Sequence, residues 1–134
     1  MARRVLICGS RDWRDMALIR EFVATLPNGT LVIHGACQGA DAKAGIAALE
    51  RGLPVAAMPA PWQFAGKRAG PIRNQWMLDF LAPTEVHAFH DSLKTSTGTV
   101  DMLTRAKNRG LLCEVHSHEP ASALSLGDAA QETK

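Results

Sequence analysis

Short continuous apolar segments alternate along this chain with longer segments whose apolar residues recur at helical spacing. The apolar segments predict five strands, at residues 3–8, 30–33, 54–58, 85–89 and 111–116. The segments between them predict four helices, at residues 15–26, 40–51, 72–81 and 99–108. Strands that are apolar throughout are typical of a parallel sheet covered by helices on both faces. We therefore expect an α/β fold, a single Rossmann-like three-layer sandwich with a mostly parallel sheet of about five or more strands.

Three of the predicted strands are followed, directly or after a short polar segment, by a glycine-containing turn that leads into a predicted helix. These turns lie at residues 8–11, 34–41 and 96–99. The first N–H groups of a helix have no intrahelical partner and attract anions such as phosphate. Ligands of open parallel sheets bind at the carboxyl ends of the strands, where all three turns are expected. The turns therefore indicate a nucleotide pocket at this edge of the sheet.

The first turn offers several groups that suit a nucleotide. Gly9 lets the backbone approach a ligand, and Ser10 and Arg11 are candidates to bind phosphate. Trp13 is a candidate to stack on a base. In the alternative interpretation a nearby aspartate caps the first helix and Trp13 covers the edge of the core.

The second and third turns add further candidates. Gly35 and Gly39 flank a tight bend, and Asp41 either caps the following helix or accepts a hydrogen bond from a ribose hydroxyl, the cap being the more frequent role. The third turn combines hydroxyl groups with free N–H groups at a helix start, a composition that suits phosphate but also a plain threonine cap. Its four candidates are Ser96, Thr97, Gly98 and Thr99.

Residues 59–71 are rich in Pro, Trp, Gly, Lys and Arg, which predicts a long functional loop. We expect Trp62 and Phe64 to be covered, because large aromatic side chains are rarely left in solvent. Trp62 is the second candidate to stack on a base.

A basic cluster lies at the end of this segment, where Lys67, Arg68 and Arg73 occur close to two glycines. An arginine at a helix start opposes the helix dipole unless an anion is present. We therefore expect Arg73, with its neighbour Asn74, to contact phosphate; the alternative is a solvated surface loop.

Composition limits the remaining classes. A chain of 134 residues is expected to form one domain, here residues 1–117, with a flexible tail at 118–134. The net charge of +2 does not point to nucleic acid as a partner. The apolar segments are too short to cross a membrane, and the N-terminus resembles a strand more than a signal peptide, so we expect a cytoplasmic protein.

Cysteine and histidine residues raise the question of a metal site, but their spacing matches no zinc finger or catalytic zinc motif. We therefore expect no metal and no cofactor. The three cysteines favour buried thiols over disulfides. The metal candidates considered are His34, Cys37, Cys113, His116 and His118.

Taken together and in order, these motifs resemble the YspA-like branch of the SLOG superfamily, from about residue 5 to residue 115. They are Gly9-Ser10-Arg11-Asp12, His34-Gly35-Ala36, Gly39-Ala40-Asp41, Pro59-Ala60 with Trp62, Gly66 with Ala69-Gly70, Arg73-Asn74, and Gly98-Thr99 with Asp101-Met102. This superfamily includes the Lonely guy phosphoribohydrolases and the sensor domains of nucleotide-signal defence systems. The resemblance implies a nucleotide-derived ligand and a homo-oligomer.

Lonely guy enzymes hydrolyse the N-glycosidic bond of nucleoside 5′-monophosphates with an arginine and a glutamate. Arg73 matches that arginine, whereas Met102 stands at the glutamate position. Asp101 is adjacent, but one residue on a helix turns a side chain by about 100°. Arg73 and Asp101 are thus the catalytic candidates, and the departure leaves binding intact while putting hydrolysis in doubt.

Three functional hypotheses follow. The first is a sensor or sequestering protein for a nucleoside phosphate, an ADP-ribose-type ligand or a cyclic signalling nucleotide. The alternative is an N-glycosidase in which Asp101 or Asp41 replaces the missing glutamate. A purely structural domain explains the fold but not the turns at one edge. Trp76 and Phe80 share a face of the middle helix, a stripe that is more often core than interface.

Overall fold

The computed structural model describes residues 2–118. Its strands are β1 (Arg4–Gly9), β2 (Leu31–His34), β3 (Val55–Ala57), β4 (Glu85–Phe89) and β5 (Leu112–His116). Its helices are α1 (Met16–Ala24), α2 (Ala40–Glu50), α3 (Trp62–Ala65), α4 (Ala69–Leu81) and α5 (Thr97–Asn108). Within the described range, every helix is too short or too polar to span a membrane. The tail predicted at 118–134 lies outside the described residues except for His118.

The five strands form one sheet in the order β3-β2-β1-β4-β5, and every neighbouring pair is parallel. Buried residues of α1 and α2 pack against one face of the sheet. Those of α4 and α5 pack against the other face. The predicted α/β fold, a Rossmann-like three-layer sandwich with a parallel sheet, is confirmed.

The central strand β1 shows why its sequence is apolar throughout. Val5 and Ile7 face the α1–α2 layer, whereas Leu6 and Cys8 face the α4–α5 layer. The first three of these side chains are fully buried, because successive residues of a strand point to opposite faces and both faces are covered. The continuous apolar pattern therefore follows from burial on two sides.

The strand order places a crevice at the carboxyl end of β1. From β1 the chain proceeds to β2 on one side, and β4 pairs with β1 on the other. The connections that leave these strands diverge to opposite faces, which opens the space in which ligands of such sheets bind. The backbone N–H of Ser10 donates to the Phe89 carbonyl at 2.9 Å and joins the two strand ends at the floor of this crevice.

The prediction of a long loop at residues 59–71 is wrong. This segment forms α3, a 3₁₀ turn at Gly66–Arg68 and the start of α4, which begins at Ala69. Pro71 did not prevent this, because proline is tolerated in the first turn of a helix, where N–H groups have no intrahelical acceptor.

The expectation that the aromatic side chains of this region are covered is also wrong. Phe64 is 90% exposed and Trp62 is 52% exposed. Phe80 on α4, expected in the core, is 69% exposed, and Trp76 is half-buried. The residues that helix α4 buries include Met77 and Leu78.

We predict that Gly39→Ala destabilises the fold. Gly39 has φ +79°, and an added Cβ would lie 2.3 Å from the Ser10 carbonyl oxygen, so the turns after β1 and β2 would have to separate. We expect the free energy of unfolding to fall by about 2 kcal/mol or more, measured by urea unfolding. As a control, Gly70→Ala, whose Cβ meets nothing within 4 Å, should leave stability unchanged or raise it. Equal stability of both variants would contradict the argument.

Candidate functional site

A cleft of about 1040 Å³ opens at the carboxyl ends of the strands. It lies between the turns that follow β1 and β4 and the N-terminal ends of α1, α4 and α5. Its size suits a nucleotide-sized ligand. The cleft is lined by these residues singled out from the sequence: Gly9, Ser10, Arg11, Trp13, Asp41, Trp62, Arg73, Asn74, Ser96, Thr97, Gly98 and Thr99. Gly35, Gly39 and Asp101, also singled out, do not line it.

The two glycines outside the cleft act on residues that line it. A Cβ on Gly35 would lie 2.6 Å from Nη1 of Arg73, so only glycine leaves room for that guanidinium. Gly39 allows the turn after β2 to pack on Ser10 and Arg11, where the Ala40 N–H donates to the Ser10 carbonyl at 3.0 Å. Both glycines shape the cleft without facing it.

Arg73 and Asn74, buried in the first half of α4, connect three parts of the site. Arg73 donates from Nη1 to the Gly35 carbonyl after β2 and from Nε to Asn74 Oδ1 at 3.0 Å. Asn74 in turn donates from Nδ2 to the Gly98 carbonyl at 3.3 Å, in the first turn of α5. This chain of hydrogen bonds fixes the turn after β2 relative to the start of α5.

The N-terminal end of α5 faces the cleft, as the phosphate interpretation requires. Ser96 is the N-cap residue, and its Oγ accepts from the Thr99 N–H at 3.3 Å. Thr97 and Gly98 line the cleft. Their N–H groups belong to the first turn of α5, where no intrahelical carbonyl is available to accept from them. The cap and the anion site are thus compatible at this turn.

The first turn has the features of the alternative interpretation, a capping aspartate and a buried tryptophan. Asp15 is the N-cap residue of α1, and its Oδ1 accepts from the Leu18 N–H at 3.0 Å. Trp13 is only 4% exposed, with Phe89 at its edge and the His118 ring stacked on it at a centroid distance of 4.9 Å. Trp62 is the more accessible of the two tryptophans expected to meet a base.

Asp41 lies at the base of the cleft in the first turn of α2. Its Oδ2 accepts from the Gly35 N–H at 3.0 Å and from the Cys37 N–H at 3.3 Å, so the carboxyl group organises the turn before its own helix. Burial raises the pKa of Asp41 to about 6, partly offset by those two N–H groups and the charge of Arg73.

The carboxylate considered for catalysis is directed elsewhere. Asp101 Oδ2 accepts from Asn74 Nδ2 and from Arg105 Nε, both at 2.9 Å. Met102, at the position of the Lonely guy glutamate, is buried and lines the cleft. A thioether therefore lines the cleft at this position.

Sequence reasoning missed the residues that follow β4. His90, Asp91 and Ser92 line the cleft, and the Ser92 N–H donates to His90 Nδ1 at 2.8 Å. His118 also lines the cleft. Its hydrogen bond to Asp15, and to a smaller extent that to Asp91, raises the pKa of His118 to about 8. The three residues that follow β4 could have been predicted from the sequence, because polar residues directly after a parallel strand lie at the edge of the sheet where ligands bind.

We predict a pH-dependent effect of Asp41→Asn. Because the folded-state pKa is raised, the folded protein holds this proton between about pH 4 and pH 6 while the unfolded chain has lost it, so Asp41 lowers stability as pH rises through this window. The free energy of unfolding of the variant minus that of the wild type should rise by about 2 kcal/mol from pH 4 to pH 7. Urea unfolding at several pH values measures this, with exposed Asp12→Asn as the control. A difference that does not change with pH would contradict it.

Comparison with known proteins agrees with this architecture. DNA processing protein A (DprA) from Streptococcus pneumoniae superposes on 98% of the chain with a TM-score of 0.73 at 18% identity, which shows a shared fold. The chain spans 56% of that structure's length.

Sequence similarity identifies the family. The Gene 61 protein of Mycobacterium phage D29 is 38% identical over 118 residues, which cover 81% of this chain and 92% of that protein. Residues 3–64 match the family described as "YspA, cpYpsA-related SLOG family". These residues include β1, β2 and the turns that hold Gly9, Gly35 and Gly39. The chain therefore belongs to the YspA, cpYpsA-related SLOG family.

Proposed function

We propose that this protein binds a nucleotide-derived small molecule in the cleft and acts in the cytoplasm as its sensor or sequestering protein. The ligand class is a nucleoside phosphate, an ADP-ribose-type molecule or a cyclic signalling nucleotide. The observation that supports this most is the buried guanidinium of Arg73, which lines the cleft. Membership of the SLOG family supports a nucleotide-related role.

The surroundings of Arg73 favour an anionic ligand. Its side chain is 7% exposed, yet no carboxylate is among its hydrogen-bond acceptors within residues 2–118, which are the Gly35 carbonyl, the Asn74 amide oxygen and the Cys37 sulfur. These contacts use Nε and Nη1. Burying a cation without an anion at hydrogen-bond distance is costly, and a phosphate oxygen at Nη2 would offset that cost.

Other groups around the cleft are suited to the same ligand. The N-terminal end of α5 offers N–H groups and a favourable dipole, and the start of α4 lines the cleft through Gly70 and Pro71. Exposed Arg11 and Lys67 add positive charge at the rim. Trp62 at the rim presents a half-exposed ring for a base.

The geometry supports binding better than N-glycoside hydrolysis. Asp101 is engaged by Asn74 and Arg105, and Met102 takes the place of the glutamate. Asp41 faces the cleft, but its Oδ2 is engaged by two backbone N–H groups of its own turn. An oxocarbenium-like centre therefore has no carboxylate presented to it at the position that the Lonely guy enzymes use.

We predict that wild-type protein binds at least one ligand from a panel of nucleoside monophosphates, ADP-ribose and cyclic nucleotides, measured by calorimetry. Arg73→Lys should weaken that affinity roughly 10- to 100-fold, since it removes a charge-assisted hydrogen bond. Lys67→Ala, on an exposed side chain, should weaken it less and reduce its salt dependence. The matched control is Arg20→Ala, which removes an exposed arginine paired with Glu50 at 2.9 Å on α1 and α2.

The same samples distinguish binding from hydrolysis. Chromatography should recover the ligand intact after heat denaturation of the protein, with no free base formed. Failure of every ligand to bind, or unchanged affinity in both Arg73→Lys and Lys67→Ala, would contradict the proposed site. Release of free base would replace the binding function by a glycosidase.

We also propose that the protein is a homo-oligomer. Phe64 on α3 and Phe80 on α4 are exposed large apolar side chains on two helices that pack together. Phe80→Asp should shift the protein toward the monomer in sedimentation velocity, with Leu112→Asp on the edge strand β5 as a matched exposed control. A wild-type protein that sediments as a monomer at all concentrations would contradict this.

A further inference from the structure

Three metal-ligating side chains converge on the two outer strands at the β5 side of the sheet, outside the cleft. His87 lies on β4, and Glu114 and His116 lie on β5. In the parallel register His87 pairs with Glu114, and Phe89 pairs with His116. Residues two apart on a strand share a face, so Glu114 and His116 both lie beside His87. The register alone brings the three together.

The separations between their ligand atoms fit one small cation. His87 Nδ1 lies 3.0 Å from His116 Nε2 and 3.7 Å from Glu114 Oε2. His116 Nε2 lies 3.9 Å from the same Glu114 oxygen. Tetrahedral zinc with ligand bonds of about 2.0–2.1 Å separates its ligand atoms by about 3.3 Å. Small movements of side chains reach that geometry, since the Glu114 side chain is half-exposed.

The hydrogen bonds behind His87 orient it as a ligand. Its Nε2 lies 2.9 Å from Glu85 Oε1, and Arg3 donates to both oxygens of the same carboxylate, 3.0 Å from Nε to Oε2. A carboxylate paired with arginine only accepts hydrogen bonds, so Nε2 of His87 is the donor to Glu85, and Nδ1 is directed toward His116 and Glu114. Carboxylate–histidine–metal arrangements of this kind hold zinc ligands in many proteins.

Aromatic rings border the cluster on the protein side. Phe22 of α1 lies against His87 and His116 at ring distances of 4.3 Å and 5.0 Å, and Phe89 stacks on His116 at 4.5 Å. His87 is 2% exposed, whereas half of the Glu114 side chain is exposed and gives an ion access from solvent. The three ligands are distinct from the residues that line the cleft.

We propose that His87, Glu114 and His116 bind one divalent transition-metal ion of the zinc type, with a coordination position open to solvent. Two imidazoles and one carboxylate form a donor set suited to zinc. The ion would join the edge strand β5 to β4. Of the residues considered as ligands from the sequence, only His116 belongs to this set.

The test uses full-length protein freed of metal by chelation. Zn²⁺ titration should show one site per chain, a higher melting temperature and, with Co²⁺ as the probe, the visible absorption of a low-coordinate nitrogen and oxygen site. Glu114→Gln and His116→Gln should each weaken Zn²⁺ affinity at least roughly 10-fold and remove most of the thermal shift. Circular dichroism checks that both variants fold.

The matched control is His118→Gln, which removes an exposed histidine bonded to Asp15 and Asp91. It should leave Zn²⁺ affinity and the Co²⁺ spectrum unchanged. Absence of Zn²⁺ binding by the wild type would overturn the proposal and leave a hydrogen-bonded histidine pair. Binding that persists in Glu114→Gln and His116→Gln, or disappears in His118→Gln, would overturn it as well.

Discussion

The contact between the Arg73 guanidinium and Gly35 is the constraint on which the rest of the cleft depends. Arg73 is held beneath the turn after β2 because residue 35 has no side chain, and its hydrogen bond to the Gly35 carbonyl fixes that turn. Asp41 accepts from the N–H of the same glycine. The turn thus has an anionic group on one side and a cationic group on the other, and both lie where a ligand would be.

From Arg73 the same constraint extends to α5. Asn74 reaches the Gly98 carbonyl and Asp101, and Asp101 pairs with Arg105 one helical turn later. The N-terminal end of α5 is therefore held in place before any ligand arrives. A preorganised set of N–H groups and one guanidinium loses little entropy on binding an anion. The carboxylate that could have served catalysis is instead part of this scaffold.

The sequence predicted the layers of the fold well and the segment between β3 and α4 poorly. Burial on both faces leaves a continuous apolar pattern, and β4 was predicted to the residue. The pattern fails at 59–71, where helical turns formed in a segment rich in proline and glycine and left Phe64 exposed. Exposed aromatic side chains follow no periodicity that distinguishes them from buried ones.

The residues of the site could also be predicted only in part. Turns that follow strands could be located at the ligand edge, because the topology brings them together whatever the strand order. The cover of His118 over Trp13 was not predictable, since it joins residues from opposite ends of the chain. Nor was the cluster at β4 and β5, because the pairing of His87 with Glu114 requires the register, which a single sequence does not specify.

Packing explains why the buried strand β4 contains polar residues. Within residues 2–118, two helices cover the face of the sheet that Val5 and Ile7 present, and their apolar cluster reaches β4 only at Phe89. Glu85 and His87 face the same side nearer the start of β4, where they are buried but meet Arg3 and His116. Burial of these polar side chains is stable only if every polar atom is satisfied. The hydrogen-bonded chain from Arg3 to His116 meets that requirement and directs Nδ1 of His87 toward a second imidazole and the Glu114 carboxylate.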